Sequence, residues 1–264
     1  MTWLFAYYAL LLSGLAVMLI DGLGWVAFLA YFAGMPLGAL AVWWLNRRPL
    51  AALGAAPYRG MLRQGVVGAV GAAAAVGAVY GLLAAAGWAS LAGPERAVGR
   101  FLILLAGQQL LVAGVEELAF RGIVQSLLVD RLGGARGLGG AAALFGAFHL
   151  PNLLYQGVPA GLIPIALIAL TAMGVVFGAA YERSDRRLAF PVALHAGWNI
   201  AAYSLEDGLG LRLSGPAWLA GRPEWFPESG LASLVGLALV GGLVWVLTAR
   251  PAGKPAARAA EWGR

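Results

Sequence analysis

Residues 101–128 read FLILLAGQQLLVAGVEELAFRGIVQSLL. The run is long and apolar enough for a helix that crosses the ~30 Å hydrocarbon core of a bilayer. Yet Glu116, Glu117 and Arg121 lie inside it. A charge at mid-bilayer costs at least ~2.5–3.5 kcal/mol on insertion scales. Three of them within so short a stretch require compensation, and their spacing sorts them. Glu117 and Arg121 are i,i+4 with the acid nearer the N-terminus, the favourable order for an ion pair on a helix. Glu116 lies ~100° around the wheel from Glu117 and has no cation on its own face. One carboxylate has a built-in counter-ion and the other does not. An unpaired carboxylate in dry surroundings is ready to take a proton, as a general base must.

The rest of the chain supports a lipid setting. Of 264 residues, 61% are apolar and 11% charged, against ~25% charged in soluble domains. No water-soluble domain of this length hides so much apolar surface. The absence of cysteine excludes a disulfide scaffold, and the scarcity of charge excludes a disordered chain. The 39 glycines have no period, which fits close helix packing in a membrane. Apolar runs predict eight spans, at about 3–20, 23–45, 66–92, 101–128, 138–154, 158–181, 188–204 and 231–247. The first lacks a basic n-region and is read as a retained helix rather than a signal peptide. The runs are continuous rather than alternating, which excludes an outer-membrane barrel.

The expected fold is an all-α membrane protein, a polytopic bundle of about eight transmembrane helices enclosing a polar cavity. Residues 1–264 read as a single integral membrane domain, with a motif-bearing core at about 101–204 and a basic tail at 250–264. Eight crossings put thirteen of the eighteen basic residues on one side and four on the other, with Arg121 inside a span. The positive-inside rule then places both termini in the cytoplasm. The net charge of +6 is therefore a topology signal, and no nucleic-acid partner is expected. The Arg183–Arg187 cluster is read in the same way.

The chain has two histidines, His149 and His195, and both fall in predicted spans. His195 and Asn199 are i,i+4 and project from one face, as are Phe145 and His149. At ~1.5 Å per residue, Glu116, His149 and His195 lie about 18, 17 and 11 Å below the cytoplasmic edge. Glu116, His149, His195 and Asn199 in one layer can hold a water, deprotonate it and stabilise an oxyanion. Glu116, His149 and His195 equally suit a divalent metal such as zinc, with an open fourth position. No cysteine is present and no serine or threonine sits in a nucleophile motif. Water is the expected attacker and hydrolysis the expected reaction.

These residues resemble the CPBP family of intramembrane peptidases, the CAAX-prenyl-protease and bacteriocin-processing (Abi-like) group. Its Glu-Glu-x-x-x-Arg, Phe-x-x-x-His and His-x-x-x-Asn motifs read here as Glu116-Glu117 to Arg121, Phe145 to His149, and His195 to Asn199. The resemblance runs over about 108–199, and it uses both histidines. It implies that Glu116 and His149 activate the water, that His195 and Asn199 form the oxyanion site, and that Glu117 and Arg121 support them. It also implies an all-helical bundle around a cavity open to the cytoplasm and the bilayer. Members are described both as metallo-dependent and as using a glutamate-activated water.

The function expected is that of an intramembrane endopeptidase cutting a membrane-embedded or lipid-modified substrate, with CAAX-type prenylated chains as one class. Its partners are membrane lipid and that peptide. The Ala/Gly/Arg-rich composition points to a prokaryotic inner or cell membrane. The rival readings are a proton-coupled transporter, since buried Glu and His also mark proton relays, and a non-catalytic membrane scaffold or immunity protein.

Overall fold

A chain surrounded by lipid must satisfy its own backbone hydrogen bonds, and continuous helices do this locally. The computed structural model describes residues 7–8, 30–94, 98–222 and 230–249. A π-helical turn, Ala30–Gly34, leads into α1 (Met35–Leu45). Helix α2 is Met61–Ala85. Helix α3 (Val98–Glu117), a π-helical stretch (Leu118–Gln125) and α4 (Ser126–Leu132) follow one another without a break. Next come α5 (Gly134–Phe148), α6 (Leu150–Tyr155), α7 (Ile163–Arg183) and α8 (Ala189–Tyr203). A short α9 (Ala217–Ala220) precedes α10 (Ser233–Leu247).

This is an all-α membrane bundle. Four helical stretches are long and apolar enough to cross a bilayer: Met61–Ala85, Gly99–Leu132, Gly134–Tyr155 and Ile163–Arg183. They correspond to the predicted spans three to six. Tyr31–Leu45 and Ser233–Leu247 are apolar but shorter, and α8, with His195, has 15 residues. The first predicted span, apart from Tyr7 and Tyr8, and the basic tail at 250–264 lie outside the described residues.

The bundle exposes large apolar side chains and encloses a polar cluster within its apolar core. Ile103, Leu104, Leu110, Leu111, Trp44 and Val246 are exposed. Glu116, Glu117, Arg121, Gln125, His149 and His195 are buried. In water this arrangement would be unstable, because it exposes large apolar side chains and buries charge. In lipid it is the expected one, since intramembrane charges face the bundle interior.

Small residues set the helix spacing. Helix α8 lies along α2, and α5 lies along α7. A Cβ at Gly197 would come within 2.4 Å of the Ala69 carbonyl oxygen and 2.5 Å of its Cα. At Gly174 it would come within 2.9 Å of the Ala142 Cα. Glycine at these two points lets backbones approach directly. The approach at Gly197 fixes the depth at which α8 presents His195 and Asn199.

The two ends of the bundle are tied differently. At the arginine-rich end, Asp130 pairs with Arg48 and Arg186, both at 2.9 Å, and Arg186 also reaches Glu182 at 3.1 Å. Gln125 donates to Glu182 and to the Gly178 carbonyl. Arg183 donates to Thr248 at 2.8 Å and lies over Trp245. The 183–187 cluster thus joins α4, α7 and the end of α10, in addition to any topological role. At the other end the loop after α2 forms β1 (Ala89–Leu91), which pairs antiparallel with β2 (Leu211–Leu213) through Ser90 opposite Arg212. Strands were not expected from the sequence, and three-residue strands are too short to show a period of two.

The close contact at Gly197 yields a prediction. Gly197→Ala should destabilise the protein by about 1–3 kcal/mol, because the contact is backbone and cannot move aside. Gly77→Ala, where an added methyl meets nothing, should be neutral or slightly stabilising. Thermal unfolding in detergent compares the two.

Candidate active site

Glu116 and Glu117 end α3, and the chain then widens into the π-helical stretch that carries Arg121. Such wide turns recur at functional sites. Arg121 Nε lies 3.1 Å from Glu117 Oε2, and both side chains are almost fully buried. The approach is too bent for a hydrogen bond, so charge holds the pair together. Nη1 and Nη2 have no hydrogen-bond partner among the described residues. Instead the guanidinium lies over the Phe145 ring, 4.3 Å from its centroid, with Phe177 at 5.9 Å. The aromatic face supplies a cation–π contact to the buried guanidinium.

His195 reaches the same carboxylate from α8. Its Nδ1–H donates to Glu117 Oε1 at 2.8 Å. Glu117 therefore sits between a guanidinium and an imidazole, one oxygen to each. An ionised carboxylate only accepts, so the proton is on Nδ1 and the Nε2 edge is turned away from Glu117. That edge faces Glu116, with Nε2 3.8 Å from Oε2. The other oxygen of Glu116, Oε1, accepts from the Tyr31 hydroxyl at 2.5 Å. Two carboxylates against one guanidinium leave one buried negative charge. His195 and Glu116 face each other across this charge.

His149 caps α5. Its Nδ1 lies 2.8 Å from the Phe145 carbonyl, one turn back. A carbonyl only accepts, so Nδ1 carries a proton. Phe145 and Phe148 flank the imidazole, with centroids at 4.8 and 5.3 Å. The Phe145 ring also lies 6.3 Å from His195. Phe145 therefore touches both histidines and Arg121. Asn199, one turn beyond His195, donates through Nδ2 to Gln109 Oε1 at 2.9 Å.

Glu116, Glu117, Arg121, Phe145, His149 and His195 thus form one buried cluster, and Asn199 is tied to it through α8 and Gln109. Three partners escaped the sequence reading. Gln109 was legible in principle: it lies seven residues before Glu116, two turns along the same face. Tyr31 and Phe177, whose ring lies 5.3 Å from His195, come from other helices and give no local signal.

A zinc held by Glu116, His149 and His195 needs three donors converging at about 2.0–2.2 Å from one point. Among the described residues, no group of three His, Cys, Asp or Glu is arranged to hold a metal ion.

The buried pair carries its own test. Arg121→Met strands Glu117 as an uncompensated buried charge and should cost about 3–5 kcal/mol. Adding Glu117→Gln to that variant should recover part of the loss. Unfolding of the single and double variants in detergent measures both.

Residues 96–201 match the family model described as Type II CAAX prenyl endopeptidase Rce1-like. The matched region begins just before α3 and ends within α8, so it contains all three motifs and leaves Tyr31 outside. No curated protein matches the chain. No solved structure matches it either. Over these residues the chain is similar to the CAAX-type intramembrane peptidases, a family of membrane proteases.

Proposed function

We propose that the protein hydrolyses a peptide bond of a membrane-embedded or lipid-modified substrate, using a water activated by Glu116 and His149. One observation carries the reading. Glu116 presents Oε2 across a 3.8 Å gap to His195 Nε2, while Glu117 anchors the far side of that imidazole. The gap is too wide for a hydrogen bond and suits one shared oxygen about 2.8 Å from each group.

In the proposed reaction, a water donates one hydrogen bond to Glu116 Oε2 and one to His149 Nε2. As its oxygen attacks the scissile carbonyl carbon, its proton passes to Glu116. The new C–O bond leaves a tetrahedral oxyanion. Protonated His195, through Nε2–H, and the Asn199 amide stabilise it. Collapse breaks the C–N bond, and Glu116 returns the proton to the departing amine. Glu117 keeps His195 oriented and balances its charge, and Arg121 balances Glu117. The site lies midway along the helical stretch Gly99–Leu132. A substrate whose cut site can enter the bilayer, such as a prenylated CAAX-type chain or a membrane peptide, fits that depth. We further propose that both termini face the cytoplasm, on the strength of the positive-inside count.

The test uses purified full-length protein in detergent, with a farnesylated CAAX-type peptide and a transmembrane peptide as fluorogenic probes. Glu116→Gln and His149→Ala should each lower kcat by about 10²–10⁴-fold. Wild-type rates in both variants would overturn the mechanism. Cleavage of neither probe by the wild type would overturn the hydrolytic reading and favour a scaffold. A separate prediction concerns metal. Dialysis against a chelator should leave the rate within about twofold, whereas a loss restored by zinc would contradict the water mechanism as written.

A further inference from the structure

Glu116 differs from Glu117 in its partners. The nearby cation, Arg121, is engaged by Glu117. Glu116 is nevertheless buried. A carboxylate left alone there could rotate and present either oxygen to the reaction. The Tyr31 hydroxyl prevents this by donating to Oε1 at 2.5 Å. That length is in the charge-assisted range for an O–H donor to a carboxylate. Oε2 has no hydrogen-bond partner among the described residues and faces His195.

The phenol is itself held in place. Tyr31 lies in the π-helical turn Ala30–Gly34 ahead of α1, and α1 packs against the π-helical stretch that follows Glu117. Its ring meets Phe32 edge-on at 4.9 Å and lies 6.2 Å from Phe148. Phe148 also packs edge-on against His149. One aromatic thus seats both the phenol and the second histidine. The chemistry of the donor matters too. An arginine here would add a second charge and hold the carboxylate in place as an ion pair. A neutral phenol orients the carboxylate and leaves it free to accept a proton.

We propose that Tyr31 is a positioning residue for Glu116, fixing Oε1 so that Oε2 alone meets the attacking water. The inference rests on the hydrolytic reading above, and it adds a residue from outside the matched region 96–201.

The experiment compares wild type with Tyr31→Phe as full-length protein in detergent, in three measurements. With the farnesylated CAAX-type peptide, kcat should fall about 10–100-fold with KM within twofold, because one charge-assisted hydrogen bond is lost and substrate contacts are not. The infrared carboxylate band of Glu116, isolated by difference against Glu116→Gln, should shift in the variant. The thermal midpoint should change little. An unchanged kcat, an effect on KM alone, an unshifted band, or a kcat loss matched by collapse of the thermal midpoint would each overturn the proposal. If the wild type cleaves nothing, the hydrolytic reading fails, and the infrared band alone then decides whether Tyr31 holds Glu116.

Discussion

A guanidinium and a carboxylate buried against each other in an apolar bundle constrain nearly everything around them. The Glu117–Arg121 pair is almost fully buried. Its remaining needs are met by neighbours: the Phe145 face under the guanidinium and the His195 Nδ1–H on the free carboxylate oxygen. Breaking a buried pair costs far more than its net contribution to stability, because it strands a charge. The helices that supply those neighbours, α5 and α8, are therefore held at one depth and in one rotation relative to α3. Close backbone contact at Gly197 holds α8 from its other side.

That constraint separates two adjacent carboxylates by role. Glu117 is saturated, with one oxygen to a guanidinium and the other to an imidazole. Glu116 has one oxygen held by a neutral phenol and the other turned toward His195. The two adjacent carboxylates therefore have unlike surroundings. Two neighbouring acids with unlike surroundings recur wherever one must orient and the other must react. Phe145 links the two halves, since its ring supports Arg121 and both histidines while its carbonyl fixes the His149 tautomer.

Much of this was legible in the sequence, for physical reasons that also explain what was not. The Glu117–Arg121 pair is an i,i+4 contact, and local spacing determines it. The apolar runs become helices because lipid offers no other backbone partner, although α8 came out shorter than a full span. Gln109 was within reach of the same spacing argument, as a polar residue two turns from Glu116. Tyr31 was not, because its partner is 85 residues away on another helix. The π-helical stretch after Glu117 leaves no compositional mark. The Ala89–Leu91 and Leu211–Leu213 strands are too short for alternation to register. The arginines at 183–187 read as a topology signal, yet Arg183 and Arg186 are wired to Thr248, Glu182 and Asp130 by contacts that only the fold creates.

The central claim is that Glu117 orients His195 so that Nε2 faces Glu116. The chain contains two histidines, so ¹⁵N-histidine labelling gives a spectrum of two imidazoles, assigned by replacing His149. In lipid nanodiscs, the account predicts His149 as the neutral Nδ1–H tautomer. It also predicts a strongly hydrogen-bonded Nδ1 proton on His195 that moves when Glu117 becomes glutamine, while His149 is unaffected. Two freely exchanging rings, or a His195 signal indifferent to Glu117, would contradict it.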